Sequence, residues 1–161
     1  MILTKGTLEH VDRIADIYEQ ARRYMRIEGN TNQWSDGHPN REDAIRDISD
    51  GNLYVCLDGD EVVGCCYFWV GTDKTYGRID GGEWLNDREY GTIHRMAVKY
   101  HGRGIARFMF DQLFAKCGNI RIDTHRDNKS MKSALAKSGF VYCGIIYIES
   151  GDMRDAYQKI R

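Results

Sequence analysis

The chain has 161 residues, 42% of them hydrophobic and 29% charged, which is enough apolar material for one core and too little charge excess for disorder. Lysine and arginine total 23 against 24 aspartates and glutamates, and the net charge of −1 excludes a bulk polyanion such as nucleic acid as the expected partner. There are 17 glycines and a single proline, Pro39, where average usage would give about eight prolines, so turns and special backbone positions fall to glycine.

In chain order, Thr7 is placed to cap a first helix whose apolar face reads Val11, Ile14, Ala15, Tyr18, Ala21 and Met25. Residues 29–40 are polar and turn-rich and carry a lone tryptophan, Trp34. Asn40 is placed to cap a short helix with Ala44, Ile45 and Ile48 inward and Gly51 as its stop. Two β-rich runs, 53–57 and 61–70, flank Asp58-Gly59-Asp60, a hairpin signal. Residues 71–91 form a long glycine-rich excursion, and loops of that length are more often functional than idle.

A strand at 92–98 then runs into a second long helix carrying Ile105, Phe108, Met109, Leu113 and Cys117, closed by Gly118. A strand at 120–124, a short helix at 131–137 and a last strand at 140–149 follow, leaving a frayed tail to Arg161. An antiparallel meander leading into a β-α-β crossover predicts an α+β fold, a mixed and mostly antiparallel sheet covered by helices, in one domain over residues 1–161. The cysteines, Cys56, Cys65, Cys66, Cys117 and Cys143, have neither C-x-x-C spacing nor a neighbouring His pair, so buried free thiols are expected and no metal. Residues 1–13 have no signal-type apolar region, and the longest apolar stretch, 62–70, falls far short of the roughly 20 residues of a span, so a cytoplasmic protein off the membrane is expected.

The sharpest feature is the strand Ile93 to Val98 running into Tyr100-His101-Gly102-Arg103-Gly104-Ile105-Ala106-Arg107 and a helix. A glycine-rich turn at a helix N-terminus makes an anion site, because unpaired N–H groups point outward and the helix dipole favours negative charge. Arg103 and Arg107 add charge-assisted donors for a pyrophosphate. No G-x-x-x-x-G-K-[ST] occurs, and Gly102-x-Gly104 lacks the third glycine of a dinucleotide fingerprint, so neither nucleotide motif fits.

The run Ile93-His94-Arg95-Met96-Ala97-Val98 with His101-x-x-Gly104-x-Ala106 resembles the acetyl-CoA motif of the GNAT acetyltransferase superfamily, [QR]-x-x-G-x-[GA]. Asp127-Asn128 followed by Ser138-Gly139-Phe140 resembles that family's second motif, in the right order along the chain. The resemblance implies that N–H groups from His101 through Gly102, Arg103, Gly104, Ile105 and Ala106 hold the pyrophosphate of acetyl-CoA. It implies that main-chain groups of Met96, Ala97 and Val98 take its pantetheine arm as an added strand, with an N–H near Val98 polarising the thioester carbonyl. Asn128 would contact that arm between two splayed strands. His101 stands where the family has Arg or Gln, and Leu135, seven residues after Asn128, stands where many relatives carry a tyrosine that protonates the leaving thiolate. Tyr142, Tyr147 or water would then serve, or the thiolate leaves unassisted.

Acetyl transfer to an amine needs the amine neutral, so a base should lie near the thioester. Glu83 and His94 are the two candidates, against plain readings as a solvated carboxylate and a partly buried structural histidine. Asn32, Gln33 and Trp34, with Trp84 and Tyr90 of the excursion, fit the family's substrate wall; Trp34 reads equally as an anchor of its own loop. The resemblance thus implies an N-acetyltransferase using acetyl-CoA on a small-molecule or peptide amine in a ternary complex, with room for a homodimer. The alternatives are a non-catalytic acyl-CoA-binding or sensing module on the same fold and a generic nucleotide-phosphate binder.

Overall fold

A computed structural model describes residues 1–161. The chain runs through β1 (Ile2–Lys5), α1 (Val11–Ile27), α2 (Arg41–Ser49), β2 (Leu53–Asp58), β3 (Glu61–Val70), β4 (Gly91–Val98), α3 (Ile105–Cys117), β5 (Asn119–Thr124), α4 (Lys129–Lys137), β6 (Val141–Tyr147) and β7 (Met153–Ile160). All seven strands share one sheet in the order β1-β2-β3-β4-β5-β7-β6. Every neighbouring pair is antiparallel except β4 and β5, which α3 joins by a crossover. This is the expected mixed α+β architecture.

Local signals place the helices where the sequence puts them. Asn40 Oδ1 accepts the Asp43 N–H at 3.0 Å while Asp43 Oδ2 accepts the Asn40 N–H at 2.9 Å, a reciprocal cap on α2. Gly118 ends α3 at φ +67°, a conformation that costs a residue with a Cβ. Alternation along the strands sorts the apolar residues into two layers. Val55, Val62 and Cys65 meet Ile14, Ile17 and Tyr18 of α1, while Cys56, Val63 and Cys66 share the opposite layer with Met109, Phe110 and Leu113 of α3. The cysteines are free, and burial pushes the Cys65 thiol up to about 12, so it packs as an inert apolar group. No helix is long and apolar enough to cross a membrane.

Two elements depart from the sequence reading. The expected frayed tail is β7, inserted between β5 and β6, and the preceding strand stops at Tyr147 instead of running to 149. One face of β7 buries Arg154, Ala156 and Gln158 and the other buries Tyr157, so its period-2 pattern is hidden by polar side chains. Gln158 is satisfied inside, taking the Leu85 N–H at 2.7 Å and donating to Asn119 Oδ1 at 2.7 Å. The other omission is β1, a short edge strand whose ends are exposed and which carries no clear alternation. The short helix after β5 also begins two residues earlier than expected, at Lys129.

Two irregularities of β4 create the working part of the molecule. Tyr67 of β3 lies opposite His94 and Cys65 opposite Ala97, so Cys66 faces both Arg95 and Met96 across a β-bulge. Arg95 takes φ +48° there and is held by a bidentate ion pair with the buried Asp47, both contacts 2.8 Å. On its other side β4 pairs with β5 only at Gly91 with Ile120 and Thr92 with Arg121, after which the strands diverge and leave a wedge between them.

Candidate active site

Beyond Thr92, one edge of β4 has no strand beside it. Lys99 N–H donates to Val63 O at 2.8 Å, and alternation along an antiparallel ladder turns Ala97 toward β3 as well. Met96 and Val98 therefore turn their main-chain polar groups into the wedge. A cleft of about 600 Å³ opens on this edge, floored by Met96, Ala97 and Val98 and walled by the α3 N-terminus, α4 and the end of α1.

The turn into α3 is open and leaves backbone N–H groups free. Gly102 and Gly104 both sit at φ +74°, and a Cβ added at either would meet nothing within 4 Å. The first bond of the helix is Phe108 N–H to Gly104 O at 2.9 Å, which leaves the N–H groups of Ile105, Ala106 and Arg107 without helical acceptors. His101 stacks on Tyr24 of α1 with ring centroids 3.6 Å apart, and desolvation lowers its pKa. It thus joins the turn to α1 instead of supplying a second guanidinium. Arg107 lines the cleft, whereas Arg103 lies over the Tyr100 ring at 4.7 Å and is absent from the lining. Lys129 and Lys137 of α4 add positive charge, and Ser138 Oγ is buried at the wall with no partner. Ser138 belongs to the second motif, whereas Tyr24, Lys129 and Lys137 follow no local motif.

Asn128 lines both this cleft and the pocket beyond it, but its amide is already engaged. Its Oδ1 caps α4 through the Met131 N–H at 3.0 Å, and its Nδ2 donates to Gln33 Oε1 at 2.9 Å. Gln33 Oε1 also accepts from Asn30 Nδ2 at 2.9 Å and Thr124 Oγ1 at 3.3 Å. The pair ties the α1–α2 loop to the end of β5 and fixes the mouth of the wedge. Leu135 is fully buried in the α3 layer and does not line the cleft, so the family's tyrosine position points into core. Tyr142 and Tyr147 are both outside it as well.

Deeper in the wedge, a second pocket of about 170 Å³ shares Met25, Met96, Asn128 and Met131 with the first. Its polar lining comes from Gln33, His94, Arg95, Asp123, Thr124 and Arg154, with Trp34 forming an aromatic side. Trp34 also packs edge-on against Tyr18 at 5.9 Å, so it anchors its loop and walls the pocket at once.

The His94 Nε2 lies 2.8 Å from Asp73 Oδ2. Asp73 in turn accepts from the Thr75 N–H at 2.9 Å and the Thr75 hydroxyl at 2.7 Å. Partial burial opposes its ionisation, but the hydrogen bonds from His94 and Thr75 prevail and hold its carboxyl at about 2. His94 therefore has a permanently ionised orienting partner on one ring nitrogen, leaving Nδ1 for other work. Nearby, the Tyr76 hydroxyl donates to Asp123 Oδ1 at 2.6 Å.

The remaining excursion residues act from behind. Tyr90 Oη accepts the Asp73 N–H at 2.9 Å, and Trp84 Nε1–H donates to Tyr76 O at 2.9 Å. Neither lines the pocket: Tyr90 holds Asp73, the partner of His94, and Trp84 holds Tyr76, the partner of Asp123, and it is His94 and Asp123 that line it. Glu83 and Asn32 are exposed and face neither cavity. Asp73, Asp123 and Arg154 escaped the sequence reading: Asp73-Lys74-Thr75 carries an Asx-turn signal, but nothing local says what its carboxylate faces.

Residues 13–140 match the model of the acetyltransferase (GNAT) family. No curated protein matches the chain. A GNAT-family acetyltransferase from Streptococcus agalactiae 2603 is 32% identical over 99% of this chain and 95% of its own, with a TM-score of 0.90. More distant structures share the fold. Ribosomal-protein-alanine N-acetyltransferase from Brucella melitensis is 17% identical with full coverage of both chains, 100% each, at TM-score 0.64. YncA from Salmonella typhimurium, solved with its cofactor acetyl-CoA, is 15% identical over 99% of this chain and 92% of its own, at TM-score 0.66. The wedge between β4 and β5, the glycine turn at its mouth and the matched family model lead to one conclusion: the chain belongs to the acetyltransferase (GNAT) family.

Proposed function

We propose that this protein transfers the acetyl group of acetyl-CoA to a primary amine by direct attack in a ternary complex, with the larger cleft taking the CoA and the deeper pocket the amine. The observation that carries the reading is the junction of the two cavities at Met96, Asn128 and Met131, which sets an anion cradle beside an oriented histidine. Acetyl-CoA supplies the activated acyl group. The open turn at Gly102 and Gly104 and the unpartnered Ser138 Oγ fit a pyrophosphate-bearing ligand, and YncA is precedent for acetyl-CoA on this fold.

The chain's own groups have distinct tasks. Main-chain groups of Met96 and Val98 bind the pantetheine arm as an added strand, and the Val98 N–H faces the thioester carbonyl. His94, held by Asp73 at 2.8 Å, takes the amine proton on Nδ1. With Leu135 in the core, the departing thiolate leaves without a tyrosine proton donor, as its low basicity allows.

Incubation with acetyl-CoA and a panel of amines, scored by free-thiol release and by mass of the acetylated amine, tests this reading. Amine-dependent release supports it. CoA binding with no release for any amine contradicts it and favours the second reading, a CoA-responsive module, for which the buried Leu135 is the specific observation.

A further inference from the structure

Two arginines are buried on the same face of the sheet, Arg121 on β5 and Arg154 on β7, each 6% exposed, and they are treated differently by their surroundings. Arg121 is sandwiched between Trp84 at 4.3 Å and Tyr90 at 4.1 Å, and its Nη2 donates to Asn86 O at 2.6 Å. Its role is structural. Arg154 has no aromatic partner and no ion pair; its single hydrogen bond runs from Nη1 to Met153 O at 3.1 Å. None of its nitrogens is both sealed from solvent and unpartnered, as Arg121 Nε is, so its free N–H groups open onto the pocket that Arg154 lines.

No carboxylate forms an ion pair with it, and those adjoining it in the chain have partners of their own. Asp155 pairs with Lys132 at 2.9 Å, Asp127 sits 3.5 Å from His125, and Asp152 accepts the Ser150 hydroxyl at 2.8 Å. The neighbouring His125 is held below its usual pKa, by burial first and then by the positive charge of Arg154, which fits a guanidinium lacking a counter-ion. An uncompensated buried charge is strongly unfavourable unless a ligand completes it.

The other charged groups of the pocket define the rest of that ligand. Arg95 is neutralised by Asp47 and His94 is paired with Asp73. Asp123 meets only the neutral Tyr76 hydroxyl. Asp123 lies opposite Ala156, and Arg154 two residues along β7 shares that face, so one anion and one cation, neither of them in an ion pair, line one pocket.

From this juxtaposition we infer that the acceptor is a small amine carrying its own anionic group, a carboxylate or a phosphate, which Arg154 anchors while the amine end lies toward Asp123 and His94. The inference rests on the acetyl-transfer reading for its direction and adds the substrate class. A pocket of about 170 Å³ takes an amino-acid-sized molecule. A peptide could enter only by its end, with an amide where the anchor needs an anion.

Matched probe pairs test it on the CoA-loaded protein: glycine with glycinamide, β-alanine with β-alaninamide, L-methionine with L-methioninamide, and phosphoethanolamine with ethanolamine. Binding by calorimetry and thiol release with acetyl-CoA are both read, for wild type, Arg154→Met and Arg154→Lys, with thermal melting as the check on folding. The expected result is a preference of about tenfold or more for the anionic member of at least one pair, lost in Arg154→Met and partly kept in Arg154→Lys. Whether the carboxylate or the phosphate pairs respond identifies the anion. No anionic preference in any pair, absence of binding included, or a preference unchanged in Arg154→Met, overturns the anchor. Anionic preference in binding with no thiol release leaves the anchor standing and contradicts the acetyl-transfer reading. Release from neutral amines alone does the reverse.

Discussion

The two halves of the wedge are built by opposite means. The larger cleft has main chain at its floor and mouth, from the freed edge of β4 and a turn whose Gly102 and Gly104 leave open space. The deeper pocket is made of side chains drawn from segments far apart in the chain: Trp34, His94, Asp123 and Arg154, with Asp73 behind. A main-chain site constrains a few consecutive residues by backbone conformation and so writes a local motif. A side-chain site constrains residues that meet only after folding, and can change its ligand while the scaffold stays the same.

If that division is right, variants in the two halves fail in different measurements. The largest effect on CoA binding is expected for Gly104→Glu, which sets a carboxylate in the anion cradle; CoA affinity should fall by about 100-fold or more, measured by calorimetry. The φ of +74° adds a strain of roughly 1–2 kcal/mol, which Gly104→Ala reports separately in denaturant melts. The largest effect on turnover at saturating acetyl-CoA is expected for His94→Gln, a fall of about 10²–10⁴ that leaves CoA affinity alone. Glu83→Gln, by contrast, should leave turnover unchanged, since Glu83 is exposed and faces neither cavity.

Asp73→Asn sharpens the same division at smaller amplitude. It should lower kcat by about tenfold with KM for acetyl-CoA unchanged, because Asp73 orients His94 without touching substrate. It also has a stability signature. A carboxyl held at about 2, against a usual 3.8, favours the folded state above pH 4, and that contribution disappears as pH falls toward 2. The wild-type advantage over Asp73→Asn in urea unfolding should therefore be about 2 kcal/mol at pH 6 and shrink toward zero near pH 2. Leu135→Tyr, like Glu83→Gln, is expected to have no effect on activity. Leu135 is fully buried, so a tyrosine there overpacks the α3 layer, costing roughly 1–3 kcal/mol in stability without raising turnover.

The sequence made the first half legible and left most of the second unread. The alternating strands, the Asn40 cap, the Gly118 stop and the Gly102-x-Gly104 turn are each set by neighbours a few residues away, and each is where the pattern put it. The end of the chain was misread because β7 buries Arg154 and Gln158, so its inward face looks polar in sequence. The same polar face supplies the pocket's unpaired charge. His94 was visible on its strand, but its meaning depends on Asp73, which is 21 positions away and is held beside it in part by the bond from the Asp73 N–H to Tyr90. Trp84 and Tyr90 were read as wall and are supports. An aromatic in a long loop announces burial without saying which side of the site it serves.

The central claim, that main chain binds the cofactor and side chains serve the acceptor, is tested most directly by one CoA titration across wild type, Gly104→Glu and His94→Gln. The account predicts that Gly104→Glu loses affinity by about 100-fold or more while His94→Gln stays within about twofold of wild type. Undiminished binding by Gly104→Glu, or a comparable loss in His94→Gln, would contradict it.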